Sequence, residues 1–150
     1  MDEIDRAIVA LLSLEARRSL ADIGDNVGLS PSTVNERIRR LTASGAIRRF
    51  TVELDPMALG LETLVLLWIA LREDADEEAF RNYARKNAAI LECHHVTGAW
   101  SYLIKLRVSA TPEIEIFLAK LKAQKFLGRS ETVIVLSSPV ADAFVQKVDG

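Results

Sequence analysis

The hydrophobic pattern of the chain changes period near residue 50. Before that point apolar residues fall three and four apart: Ile4, Ile8, Leu11 and Leu12, then Leu20, Ile23 and Val27, then Val34, Ile38 and Leu41. Such spacing puts one apolar stripe on each of three helices. Asp2 can cap the first, with Glu3 and Asp5 in the turn where the helix dipole favours acids. The run Ser19-Leu20-Ala21-Asp22 reads as a capping box, with Asp in the place of Glu or Gln, opening a short second helix. Gly28 can take the positive φ of a tight turn, Ser30 is a good N-cap and Pro31 suits the first helical position. Gly45 ends the third helix. Ala46 to Val52 has strand character and predicts a wing beside that helix.

Beyond residue 60 the pattern turns strand-like. Leu64 to Leu71 is a continuous apolar run, as in a sheet buried on both faces. Asp74 to Glu78 begins a helix whose apolar side is Ala79, Phe80, Tyr83 and Ala84. Ile90–Thr97 and Trp100–Val108 read as a hairpin hinged at Gly98-Ala99. Thr111-Pro112 opens a helix marked by Ile114, Phe117, Leu118 and Leu121, and Thr132–Leu136 is a last strand. The tail from Val140 to Gly150 suits helix or extended chain equally.

These elements define an α+β chain. Helix, short helix, glycine turn and longer helix with a polar front is the order of a helix-turn-helix, here winged. Strand, helix, strand, strand, helix, strand is the βαββαβ ferredoxin-like arrangement. Pro56 and Gly60 punctuate the boundary, giving a winged helix-turn-helix at 1–52, a linker at 53–62 and a ferredoxin-like domain at 63–150. A sheet with helices on one face leaves the other to be covered, and the apolar first strand predicts a second copy of the chain there.

Composition narrows the class. Of 150 residues, 49% are hydrophobic, and the net charge is −2. That excludes a wholly basic nucleic-acid binder but not a local basic patch. Residues 1–50 carry eight Lys/Arg against seven Asp/Glu, yet Arg37, Arg39, Arg40, Arg48 and Arg49 lie within thirteen residues free of acids. A single cysteine, Cys93, suits a reducing compartment. The N-terminus has acids where a signal peptide needs bases, and the longest apolar run is too short to span a bilayer. A soluble cytoplasmic protein that meets no membrane is expected.

The polar front of the third helix supplies the candidate chemistry. Ser32, Thr33, Asn35, Glu36 and Arg37 form the expected groove and base-edge set, Arg39, Arg40, Arg48 and Arg49 form the phosphate-positioning set, and Ser30 is counted with them among the DNA-binding residues. A few such contacts from one subunit bind double-stranded DNA weakly, so a dimer or larger assembly is expected.

The segments MDEIDRAIVALL and RRSLADIGDNVGLSPSTVNERIRRLTASGAIRRF resemble the Lrp/AsnC, or feast/famine, transcriptional regulators, especially at Asp2, Asp5, Gly28, Leu29, Ser30, Glu36, Arg37, Arg40, Leu41, Gly45 and Ile47. Gly24 departs from the family's usual Ala, and Asp25 and Asn26 stand where basic residues are common. The resemblance implies a C-terminal ligand-sensing and dimerisation domain, homodimers that often build octamers, and an amino-acid effector between subunits. It assigns effector contacts to Gly98, Ala99, Trp100, Ser101 and Tyr102, and to Ser130 and Thr132. Two acidic positions of that turn are here Ala99 and Ser101. Losing a carboxylate leaves a ligand ammonium unpaired, so a different or less polar effector is expected, or none. The usual Pro-Gly turn is displaced around Phe126-Leu127-Gly128.

Cys93-His94-His95 invites a metal reading. On a strand only Cys93 and His95 share a face, and two ligands are too few for a structural zinc site. No metal and no cofactor are expected. The alternative function is an enzyme of the same fold, similar to siroheme decarboxylases, but only two histidines are present and no nucleophile–base pair or phosphate loop stands out.

Overall fold

The structure, a computed structural model, describes residues 1–141 and 143–145. The chain divides into two compact units, one ending at Val52 and the other beginning at Glu53.

The first unit holds α1 (Glu3–Leu14), α2 (Leu20–Val27) and α3 (Pro31–Ala43). Ile8, Ile23 and Val34, one from each helix, are fully buried at its centre, with Ile4, Leu11, Leu12, Leu20, Leu29 and Ile38 around them. So small a core stabilises little, which gives weight to polar ties between helices. Ser19 caps α2 by accepting from the Asp22 amide at 3.1 Å. Its box stays half closed, because the Asp22 carboxylate instead accepts from Arg18 Nε at 2.8 Å. The complete capping box is at α1: the Asp5 amide donates to Asp2 Oδ1 at 2.7 Å and the Asp2 amide to Asp5 Oδ2 at 3.2 Å. Gly28 takes φ 71° at the end of α2 and Gly45 takes φ 77° after α3, as their positions require. The wing strand expected at Ala46–Val52 is not formed. A strand needs a ladder partner, and the described residues of this unit contain no other strand.

The second unit runs β1 (Thr63–Leu71), α4 (Glu77–Lys86), β2 (Ile90–His95), β3 (Tyr102–Val108), α5 (Pro112–Ala123) and β4 (Leu127–Ile134). The strands form one antiparallel sheet in the order β2-β3-β1-β4. This is the ferredoxin-like order. Val65, Leu67 and Ile69 of β1 and Tyr102, Ile104, Leu106 and Val108 of β3 face the helices, where they meet Phe80, Ala84, Ile114, Phe117 and Leu121. β1 is not buried on both faces within the chain. Its burial alternates, leaving Leu64, Leu66, Trp68 and Ala70 half-buried on the helix-free face. β4 begins five residues before the apolar TVIVL run (Leu127 against Thr132), because the polar stretch GRSET pairs with β1 through Arg129↔Ala70, Ser130↔Ile69 and Glu131↔Trp68. The Val135 amide extends the ladder to Leu64 O at 3.0 Å. Residues 53–61 lie along this unit: the Leu54 amide donates to Phe144 O at 2.9 Å, and Arg107 Nη1 to Leu61 O at 3.1 Å. The two readings of the tail fall partly outside the described residues, and those described at 141 and 143–145 form neither helix nor strand.

Candidate nucleic-acid interface and effector region

Thirteen residues give α3 a length of about 20 Å, enough to lie in a major groove. Val34 and Leu41 turn inward and Ile38 is half-buried. At 100° per residue the opposite line runs through Ser32, Asn35, Glu36 and Arg39, all exposed. Arg39 therefore stands in the middle of the outward face. Thr33 is half-buried. Ser30 is held as the N-cap: its hydroxyl accepts from the Thr33 amide at 3.3 Å and shares hydrogen bonds with Ser32 Oγ and Thr33 Oγ1.

Arg37 is placed differently from the expectation that it reaches a base edge. Its Nη1 donates to Asp2 Oδ2 and to Asp5 Oδ1, both at 2.7 Å, and its side chain is only 20% exposed. Arg40 Nη2 forks over Asp5 Oδ1 and Oδ2 at 3.3 and 3.4 Å, with 64% of its side chain exposed. The hydrogen bond from Arg37 holds both aspartates below the usual carboxylate range, and the same bonds push Arg37 up. Arg39, Arg48 and Arg49 are exposed, and among the described residues they have no carboxylate partner. Asp2 and Asp5 were legible as capping and dipole residues, but their grip on α3 was not. The available signal was their i, i+3 spacing on one face of α1.

The effector residues implied by resemblance are divided between the two faces of the sheet: Ala99, Trp100, Ser101 and Ser130 lie around the Ile69–Leu71 end of β1, and Thr132 lies further along it. Tyr102 is a core residue, 3% exposed. Its hydroxyl donates to Glu77 Oε1 at 2.6 Å and accepts from Arg81 Nε at 2.8 Å, under α4. Burial pushes the Tyr102 phenol up, while the bonds from Tyr102 and Arg81 hold Glu77 down. Ser101 is tied into the sheet, its amide donating to Ile69 O at 2.8 Å and its Oγ accepting from the Leu71 amide at 3.0 Å. Ser130 and Thr132 pair with Ile69 and Leu67 and so share the helix-covered side. There Thr132 lines a mostly apolar groove of about 520 Å³ with Thr111, Pro112, Ile114, Glu115, Leu118 and Ile134. Trp100 lies instead beside Arg129, whose partner Ala70 points to the helix-free face. The guanidinium sits 4.3 Å from the ring centroid and donates to Ala99 O at 2.6 Å. Gly98, at φ 101°, turns the hairpin. Arg129, Glu77 and Arg81 were absent from the sequence reading; nothing in their spacing marks them.

Cys93 and His95 share a face, opposite Ile104 and Tyr102, and His95 stacks on Tyr102 with centroids 4.9 Å apart. His94 pairs with Glu92 at 3.0 Å on the other face, beside Lys105 at 2.6 Å from the same carboxylate. Among the described residues no three His, Cys, Asp or Glu side chains converge as a metal site, and no helix is long and apolar enough to cross a membrane.

A three-helix unit presenting a polar, arginine-bearing helix, joined to a βαββαβ unit, defines a helix-turn-helix protein with a ferredoxin-like second part. Comparison with known proteins narrows this. Residues 1–42 match the AsnC-type helix-turn-helix domain and residues 64–143 the Lrp/AsnC ligand binding domain. The transcriptional regulator FL11 of Pyrococcus horikoshii is 33% identical over 138 residues, covering 92% of this chain and 91% of its own. The leucine-responsive regulatory protein of Escherichia coli K12 is 39% identical over 110 residues, covering 72% and 67%. The structure of Bacillus subtilis LrpC superposes with a TM-score of 0.83 at 28% identity over 95% of this chain and 99% of that one. The fold is shared with the Neisseria meningitidis regulator NMB0573, described as an L-Met complex, at TM-score 0.87 and 23% identity over 95% and 94%. The chain belongs to the Lrp/AsnC family of transcriptional regulators.

Proposed function

We propose that this regulator recognises double-stranded DNA through the outward line Ser32, Asn35, Glu36 and Arg39 of α3, with Arg40, Arg48 and Arg49 neutralising phosphates. The single observation that carries the assignment is this exposed line, with Arg39 at its centre and without a carboxylate partner among the described residues, while Arg37 is held by two aspartates. Thr33 lies at the margin of the line, and Ser30 supports it as the cap. Residues 1–52 are then the DNA-binding domain, 53–62 the linker and 63–150 the domain for assembly and sensing. A second copy covers the helix-free face of the sheet, where Leu64, Leu66 and Trp68 stand half-buried, and an octamer is the expected larger assembly. The protein works in the cytoplasm and is not an enzyme; the relatives compared are transcriptional regulators.

A small molecule modulates it. The leucine-responsive name of one relative and the L-Met complex of another support an amino-acid-like effector. With Ser101 tied into the sheet, Tyr102 tied to Glu77 of α4 and Ala99 lacking a carboxylate, the remaining contacts favour a ligand less polar than an acid-clamped amino acid. Calorimetric titration with the twenty amino acids tests this, and tight binding of a polar one would count against it. Genome-wide mapping of bound DNA in wild type and Arg39→Ala tests the DNA assignment: the variant is expected to lose preference among wild-type sites. An identical site profile would remove α3 from recognition.

A further inference from the structure

We infer that Arg37 supports DNA binding without touching DNA: by neutralising Asp5, it leaves Arg40 able to exchange that carboxylate for a phosphate. The inference rests on α3 being the DNA-facing helix. Asp5 has 4% of its side chain exposed, and a charge so buried needs an opposite charge at all times. Two arginines serve it unequally. Arg37 makes one short bond at 2.7 Å and is anchored a second time by Asp2 at the same distance. Arg40 makes only a long fork of 3.3 and 3.4 Å from a largely exposed side chain. Long, solvent-facing contacts of this kind are the weaker ones. Each carboxylate also accepts from a backbone amide: Asp5 donates its amide to Asp2 Oδ1, and Asp2 donates its own to Asp5 Oδ2. When a phosphate reaches α3 from solvent, Arg40 is the arginine of the pair that can meet it. Asp5 keeps Arg37, so no buried charge is orphaned by the exchange. Remove Arg37, and Asp5 must hold Arg40 for itself.

This predicts a pattern that neither a direct contact nor plain scaffolding by Arg37 would produce. Affinity of the full-length protein for a linear, mixed-sequence DNA duplex is measured across a salt series, with circular dichroism melts confirming that each variant folds. The slope of log K against log salt counts neutralised phosphates. Arg40→Gln is expected to reduce its magnitude by about one. Arg37→Gln is expected to lose the same amount, and the double variant no more than either alone. Asp5→Asn placed on Arg37→Gln is expected to restore the wild-type slope, because Arg40 is released. Additive loss in the Arg37/Arg40 double variant, or failure of Asp5→Asn to restore, would put Arg37 on the DNA itself and overturn the inference. A wild-type slope in Arg37→Gln would reduce Arg37 to scaffold and overturn it as well. Should Arg37→Gln not fold, Asp5→Asn is compared with Asp5→Asn/Arg37→Gln: equal slopes uphold the exchange, and a lower one in the double variant overturns it. An unchanged slope in Arg40→Gln would instead overturn the assignment of α3, a different failure.

Discussion

Asp5 is the buried charged residue of the described chain, and its chemistry sets how the first unit responds to acid. The hydrogen bond from Arg37 holds Asp5 and Asp2 below the usual carboxylate range in the folded state. A depressed pKa adds stability that is complete above the unfolded aspartate value and lost as pH falls through the folded one. Thermal melts of the first unit's transition should therefore drop steeply below the ordinary aspartate range, and Asp5→Asn should flatten that drop while lowering stability at neutral pH. At the DNA surface, Arg39→Ala should relax preference at a particular base pair by about 1–3 kcal/mol, whereas Arg40→Gln should weaken all sequences alike. Quantitative binding to a panel of single-base operator variants separates the two. The five arginines look alike in the sequence. Their division into one held inward, one shared and three without a carboxylate partner among the described residues depends on acids more than thirty positions away (Asp2 and Asp5 from Arg37), which no local pattern reports. The place of Arg39 between Ser32 and Glu36, by contrast, follows from helix periodicity alone.

At the scale of elements, two backbone positions invert simple propensity. Gly24 sits inside α2, where Ala would favour the helix by about 1 kcal/mol. An added Cβ would, however, lie 2.4 Å from Leu29 O, where the chain turns into α3. Gly24→Ala should thus destabilise, by roughly 1–3 kcal/mol of overpacking, in a chemical denaturation midpoint. Lys125, after α5, takes φ 59°, the left-handed conformation glycine adopts without strain. Lys125→Gly should raise stability by up to about 1 kcal/mol in the same assay. Three capped helices and both sheet hairpin strands were legible because apolar period and capping residues agree there. β4 was half legible: as an edge strand its polar start has no buried face to mark it, and only pairing with β1 reveals it. The wing misled because strand-like residues form a strand only when another strand is present to receive their hydrogen bonds.

For the whole molecule, the helix-free face of the sheet is the feature with the widest reach. Leu66 lies across from Lys105 and Val133, and Trp68 from Leu103 and Glu131, an apolar centre with charges at intervals. On the proposal that a second copy covers this face, Leu66→Glu should yield monomers in sedimentation velocity where the wild type sediments as a larger species, with the circular dichroism spectrum unchanged and DNA affinity reduced through lost bivalency. An unchanged sedimentation coefficient would place the interface elsewhere. The irregular stretch 46–52 has a practical consequence as well. It carries Arg48 and Arg49, exposed and outside any helix or strand, in the last residues of the first unit. Peptide bonds after exposed arginines in irregular chain are what trypsin cuts first. The residues assigned to phosphate are thus also the protease's target, so occupancy of DNA becomes directly readable on a gel: cleavage there should fade as duplex is added and return when salt releases it.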